Sequence, residues 1–236
     1  MKKGFRRSVI FIIIVFGFCY MLKGIELKLG NSNIPGVDIG LVDKNNLVKE
    51  NNMNVKPERL LVNREHGLSK KYIPENLSIP NIPFTAEVDD KEKYVAEIIV
   101  KPLEELIDTA KKEGIILFGN SGYRSYKLQK NTYDKRVKSK GKELADAYVA
   151  KPGFSEHQTG LCIDVTNKDR YFVEGTKEAD WLEKNAYRFG FIIRYPKGKK
   201  SITNINHEPW HIRYVGKKSA KYIYDEKITL EEYLDN

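Results

Sequence analysis

Between residues 92 and 113 the apolar side chains Val95, Ile99, Leu103, Leu106 and Ala110 recur every three or four positions. That spacing predicts an amphipathic helix. Pro102 falls inside the run and would kink the helix or start a second one, and Gly114 ends it. Residues 115–118 read as a short strand leading into a Ser-Gly turn. Polar helices are expected over about 126–138 and 142–149, and a strand over 161–165. Over residues 177–188 a helix would turn Trp181, Leu182 and either Ala186 or Tyr187 inward. Residues 191–194 and 210–215 are β-prone, and two short helices close the chain. Helices and strands do not alternate as regular βαβ units. The pattern therefore predicts an α+β fold, a small central antiparallel sheet flanked by helices.

Ahead of these elements the pattern weakens. Residues 59–90 carry Pro74, Pro80 and Pro83 and are expected to wrap the domain as extended chain. Residues 24–58, rich in Asn, Lys and Gly, read as a spacer. At the N-terminus Lys2, Lys3, Arg6 and Arg7 precede an apolar run over 9–22, with Lys23 after it. That run is shorter than the roughly 20 residues of a comfortable span and fits the length of a signal peptide. No small-x-small pair follows it, however, and Phe18 before Cys19 suits a lipoprotein site poorly. The reading is a signal anchor over 1–23 with its basic end inside, or alternatively a cleaved signal peptide. Residues 59–236 then form one domain.

Composition adds two constraints. The 236 residues carry a net charge of +9, which fits either a lysine-rich solvated surface or attraction to an anionic polymer. No nucleic-acid module is recognisable, so for an exported protein an anionic cell wall or membrane surface is the better partner. The two cysteines, Cys19 and Cys162, are not expected to pair, since Cys19 lies in the apolar N-terminal run. The disulfide framework of small secreted domains is absent.

The candidate chemistry lies in two short stretches that hold three of the four histidines. One is Ser155-Glu156-His157-Gln158-Thr159-Gly160-Leu161-Cys162-Ile163-Asp164. The other is His207-Glu208-Pro209-Trp210-His211-Ile212-Arg213-Tyr214. A structural zinc site closes four protein ligands around the metal, whereas a catalytic one uses three and keeps a position open for water. His157, Asp164 and His211 make three, and Glu208 remains as a base. The letters His-Glu-x-x-His at 207–211 also match a helical protease motif, with Glu226, Glu231 or Glu232 as a third ligand. Pro209 opposes that helix. In an extended chain His207 and His211 would stand about 13 Å apart, at about 3.3 Å per residue, too far to share a metal. His207 is expected in a solvated loop, His66 has no assigned chemistry, and Arg213 is expected to fix local structure beside an acidic partner.

Ser-x-His-x-x-Gly-x-x-x-Asp followed by Glu-x-Trp-His resembles the zinc D-alanyl-D-alanine carboxypeptidases of the VanY type. These belong to the lysostaphin, D-Ala-D-Ala metallopeptidase and hedgehog-like fold group. A third element, Ser121-Gly122-Tyr123-Arg124-Ser125 with Gln129 after it, stands in the matching order. The likeness runs from about residue 59 to the end. It implies one Zn2+ per chain, held on the sheet by His157, Asp164 and His211, with Glu208 as general base and then acid. It also implies that Arg124 holds the oxyanion, that Ser155 and Gln158 sit in the substrate pocket, and that Trp210 walls the site. The implied activity is removal of the terminal D-Ala from peptidoglycan stem peptides ending in D-Ala-D-Ala, by a membrane-tethered, extracytoplasmic enzyme. An L,D-carboxypeptidase or endopeptidase on the same scaffold is one alternative. A non-catalytic wall-binding protein with structural zinc is another, which has no need of Glu208. Cys162 departs from the family pattern, where a small residue such as alanine is usual. It reads first as a small buried side chain, yet on a strand it would share a face with Asp164.

Overall fold

A computed structural model describes residues 56–235. The anchor expected over 1–23, and the spacer over 24–58 apart from its last three residues, lie outside the described residues. Among the described residues no helix is long and apolar enough to cross a membrane.

Strands β1 (Leu77–Ser78) and β2 (Val95–Ala96) pair antiparallel, and helix α1 (Glu97–Lys112) starts directly after them. Strand β3 (Phe118–Ser121), helices α2 (Tyr126–Lys140) and α3 (Lys142–Tyr148), and strand β4 (Cys162–Thr166) follow. Helix α4 (Lys177–Asn185), strand β5 (Phe191–Tyr195), the single turn α5 (Lys200–Thr203) and strand β6 (Glu208–Tyr214) come next. Helices α6 (Lys217–Glu226) and α7 (Leu230–Asp235) close the chain. The mixed α and β architecture, with small antiparallel sheets, agrees with the α+β expectation.

Helix α1 buries Ile99, Leu103, Leu106 and Ala110, the face that the spacing predicted. Its start differs from the expectation. Val95 is buried as a strand residue opposite Ser78, so the helix begins two residues later. Pro102 sits in the second turn, where its missing N–H costs one intrahelical bond. The burial of Ile99, Leu103 and Leu106 around it offsets that loss, and the helix runs through without a second start. Helix α4 stops at Asn185 and continues as a 3₁₀ turn over Ala186–Phe189. Ala186 is the inward residue there, while Tyr187 stacks on Tyr224 at 4.2 Å.

The main sheet has the order β3-β4-β6-β5, antiparallel throughout. β3 lies three residues later than expected, because its pairing with β4 runs from Phe118 opposite Thr166 to Ser121 opposite Asp164, through a bulge. In β4 and β6, Asp164 faces His211, Ile163 faces Ile212 and Cys162 faces Arg213. Residues opposite one another share a face, and successive residues alternate. One face therefore carries Ile163, Val165 and Ile212, packed with α1 and α4 in the main core. The other carries Cys162, Asp164, His211 and Arg213.

Candidate active site

The two central strands place Asp164 and His211 side by side, so two of the three expected metal ligands meet by register alone. His157 arrives from the 3₁₀ turn Glu156–Thr159 just ahead of β4. Gly160 ends that turn at φ 69°, and a Cβ there would stand 2.9 Å from the Ala96 backbone nitrogen. His157 Nδ1 lies 2.7 Å from the Gly122 carbonyl oxygen. A carbonyl only accepts, so Nδ1 carries the proton and Nε2 is left with its lone pair. Gly122 is held equally tightly, since a Cβ there would meet the Tyr94 carbonyl at 2.4 Å.

His157 Nε2 stands 3.5 Å from Asp164 Oδ2, and His211 Nδ1 stands 3.0 Å from Asp164 Oδ1. His211 turns its Nε2 to Glu156 Oε2 at 3.4 Å, which favours a proton on Nε2 and a free lone pair on Nδ1. Asp164 Oδ1 is buried without a hydrogen-bond partner. Two imidazole lone pairs and a carboxylate turned on one another call for a cation between them. Two nitrogens and one oxygen are a donor set suited to zinc. The acceptor behind each ring is the kind of outer partner that orients a ligating histidine. Cys162 belongs to the same cluster: ligand atoms of His157, Cys162 and His211, all buried, lie within 4.8 Å of one another. Burial pushes its thiol up, but the two imidazoles outweigh this and bring it down to about 7.

Beneath His211 lies a group that sequence reading passed over. Glu156 is fully buried, and its Oε1 accepts from Arg194 Nε at 2.8 Å and Arg213 Nη1 at 2.7 Å. Burial alone would raise its carboxyl, yet the two guanidiniums hold it well below the usual range. Arg194 also binds Glu231 through both terminal nitrogens, at 2.8 and 2.7 Å. Arg213 reaches the Leu60 carbonyl at 2.7 Å. The expected acidic partner of Arg213 is thus Glu156. The available signal was Arg194, one charge inside the apolar run Phe-Ile-Ile-Arg-Tyr.

Glu208 is buried, with Oε2 3.9 Å from His211 Nδ1. Burial pushes its carboxyl up to about 7, against the pull of His211. Asp164 goes the other way: burial is outweighed by His157 and His211, which hold it far below the usual range. Arg124 donates from Nη1 to Gln129 Oε1 at 2.9 Å, and its Nη2 lies 3.7 Å from Asp164 Oδ2. Gln129 is itself fixed to the Ala150 carbonyl at 2.7 Å. Arg124 Nε is buried without a hydrogen-bond partner, with Glu92 Oε1 3.7 Å away.

A cleft of about 470 Å³ opens over these groups, and Arg124, Ser155, Glu208 and Trp210 line it together with His157, Asp164 and His211. Arg136, Tyr148 and Tyr195, which the sequence did not single out, line it too. Gln158 is the exception among the expected pocket residues. It is fully buried and turned away, and its amide donates to the carbonyls of Ser69 and Tyr72 at 2.9 and 3.2 Å. Its local role is to pin the wrapping segment. His207 also differs from the solvated histidine expected, since both its ring nitrogens are buried without a partner.

Metal donors, a raised carboxyl and a fixed guanidinium around one cleft define a hydrolytic metal site. Comparison with known proteins narrows this. The family model VanY, D-alanyl-D-alanine carboxypeptidase, matches residues 92–217, and the chain belongs to that family. The putative carboxypeptidase YodJ of Bacillus subtilis (strain 168) is 45% identical over 186 residues, 76% of this chain and 68% of that protein. Among solved structures, the LdcB LD-carboxypeptidase superposes with a TM-score of 0.70 at 45% identity, covering 76% of this chain and 87% of that one. The vancomycin resistance D,D-pentapeptidase VanY of a VanB-type cassette, in complex with Zn(II), gives 0.65 at 34% identity, over 76% and 99%. The donors found here fit the zinc on which this family depends.

Proposed function

We propose that this chain is a zinc carboxypeptidase that removes the terminal D-Ala from peptidoglycan stem peptides ending in D-Ala-D-Ala. The observation that carries the reading is the convergence of His157, Asp164, His211, Glu208 and Arg124 on one cleft. Zinc there supplies Lewis acidity and lowers the pKa of water. His157, Asp164 and His211 hold the metal. Glu208, with its carboxyl raised to about 7, takes a proton from the attacking water and returns it to the leaving amine. Arg124, held by Gln129, meets the charge that develops on the carbonyl oxygen. Ser155 remains on the cleft to read the substrate, while Gln158 does not.

A second reading, L,D cleavage of a tetrapeptide stem, is favoured by one observation. Identity with the LdcB LD-carboxypeptidase is 45%, against 34% with the D,D-pentapeptidase. The experiment offers the purified protein pentapeptide and tetrapeptide stems and identifies the amino acid released. Release of D-Ala from the pentapeptide is expected. Release from the tetrapeptide alone moves the assignment to L,D. Amidation of the C-terminus is expected to slow cleavage sharply, because a charge-assisted contact reads the carboxylate. Equal rates on free and amidated peptides would exclude a carboxypeptidase.

We propose further that the domain works outside the cytoplasmic membrane, tethered by residues 1–23. The basic cluster and apolar run at the N-terminus support this, and the net charge of +9 suits an anionic wall.

A further inference from the structure

We propose that Cys162 is a ligand of the metal, so that the centre is held by two imidazoles, one carboxylate and one thiolate. The inference rests on the zinc reading above. Three features carry it. Cys162 and Asp164 stand two apart on β4 and point to the same face, one opposite Arg213 and the other opposite His211. The Cys162 sulfur and one ring nitrogen each of His157 and His211 lie within 4.8 Å of one another, close enough to turn on a single cation. All three residues are buried, Cys162 completely. This thiol therefore has no solvent to serve it, and the rings of His157 and His211 stand beside it. It is also unpaired.

A thiol that joins a zinc centre gives up its proton to solvent and binds as thiolate. The thiolate adds one negative charge and a soft donor, so the centre would prefer soft cations.

Cobalt(II) exchanged into the purified full-length protein tests this without relying on turnover. A thiolate ligand gives a near-ultraviolet sulfur-to-cobalt charge-transfer band, whereas imidazole and carboxylate give only the visible d–d bands. The wild type is expected to show both. Cys162→Ala and Cys162→Ser are expected to keep the d–d bands and lose the charge-transfer band, with zinc affinity in a chelator competition falling about tenfold or more. Visible bands without charge transfer in the wild type overturn the inference while leaving the zinc site intact. Charge transfer that survives in Cys162→Ala also overturns it. No cobalt spectrum and no zinc by metal analysis would remove both the inference and the zinc reading beneath it.

Discussion

Replacing Glu156 by Gln should destabilise the protein by about 3 kcal/mol, near the lower end of the roughly 3–5 kcal/mol expected when one member of a buried ion pair is removed. Glu156 is fully buried between Arg194 and Arg213, with Glu231 as the second carboxylate. Two guanidiniums and two carboxylates balance. Glutamine keeps the volume and an acceptor oxygen but removes one negative charge. Arg194 retains Glu231 at 2.8 and 2.7 Å. Arg213 retains only carbonyl partners, Leu60 at 2.7 Å among them. The uncompensated charge thus falls on Arg213, which is why one charge and not two sets the magnitude. Urea unfolding in the presence of a chelator isolates this contribution from metal binding. Arg213→Met alone should cost a similar amount. The double variant Glu156→Gln, Arg213→Met should cost clearly less than the sum, because neither charge is left alone. A loss under about 1 kcal/mol for Glu156→Gln, or strict additivity in the double variant, would refute the argument. Zinc affinity supplies a second readout. Glutamine has one acceptor oxygen, which the guanidiniums of Arg194 and Arg213 claim, so its NH2 group faces His211 and accepts nothing. Glu156→Gln and Glu156→Ala should therefore both weaken zinc binding about 10–100-fold.

Glu208→Gln should keep zinc and fold while losing about 10²–10⁴ in turnover, read by metal analysis beside a peptide assay; near-normal turnover contradicts a base. Arg124→Ala should lose about 10²–10³ in rate with zinc still bound, whereas alanine at His157 or His211 should release the metal. Leu103→Ala should cost about 2–5 kcal/mol in urea unfolding, since Leu103 is fully buried at the centre of α1. Mass spectrometry of the mature protein from its host is expected to find residues 1–23 attached; a soluble form beginning after residue 22 would mean a cleaved signal.

The regular elements were legible because burial follows period. Ile99, Leu103, Leu106 and Ala110 are spaced for one helix face, and that face is the one buried. The strand that carries His211 was legible because Pro209 rejects a helix at 207–211, and β6 is that strand. What escaped depends on long-range pairing. Val95 looks helical by spacing, but its pairing with Ser78 in β1 decides its structure. Gln158 has the right type and position for a pocket, yet the 3₁₀ turn directs it to carbonyls 86 and 89 residues earlier. Glu156 has no periodic partner at all. Its partners Arg194 and Arg213 lie 38 and 57 residues further along the chain, and Glu231 lies 37 beyond Arg194, so only the folded register joins them.

That ion cluster also explains why the wrapping segment and the last helix belong to the site. Arg213 carries Leu60 on one side and Glu156 on the other. Arg194 carries Glu231 of α7 in the same way. Glu156 in turn faces the outer nitrogen of His211. The segment around Leu60 and helix α7 thus both brace one candidate ligand, His211. Displacing either segment exposes a charge that only the other members can neutralise. The sheet divides the labour accordingly: its apolar face supplies the core with α1 and α4, and its polar face spends buried charge to hold two imidazoles in fixed orientation. An ordinary hydrophobic floor under His211 would pack as well, and by the usual balance could be more stable, but it would leave the Nε2 proton without an acceptor and the ring free to turn.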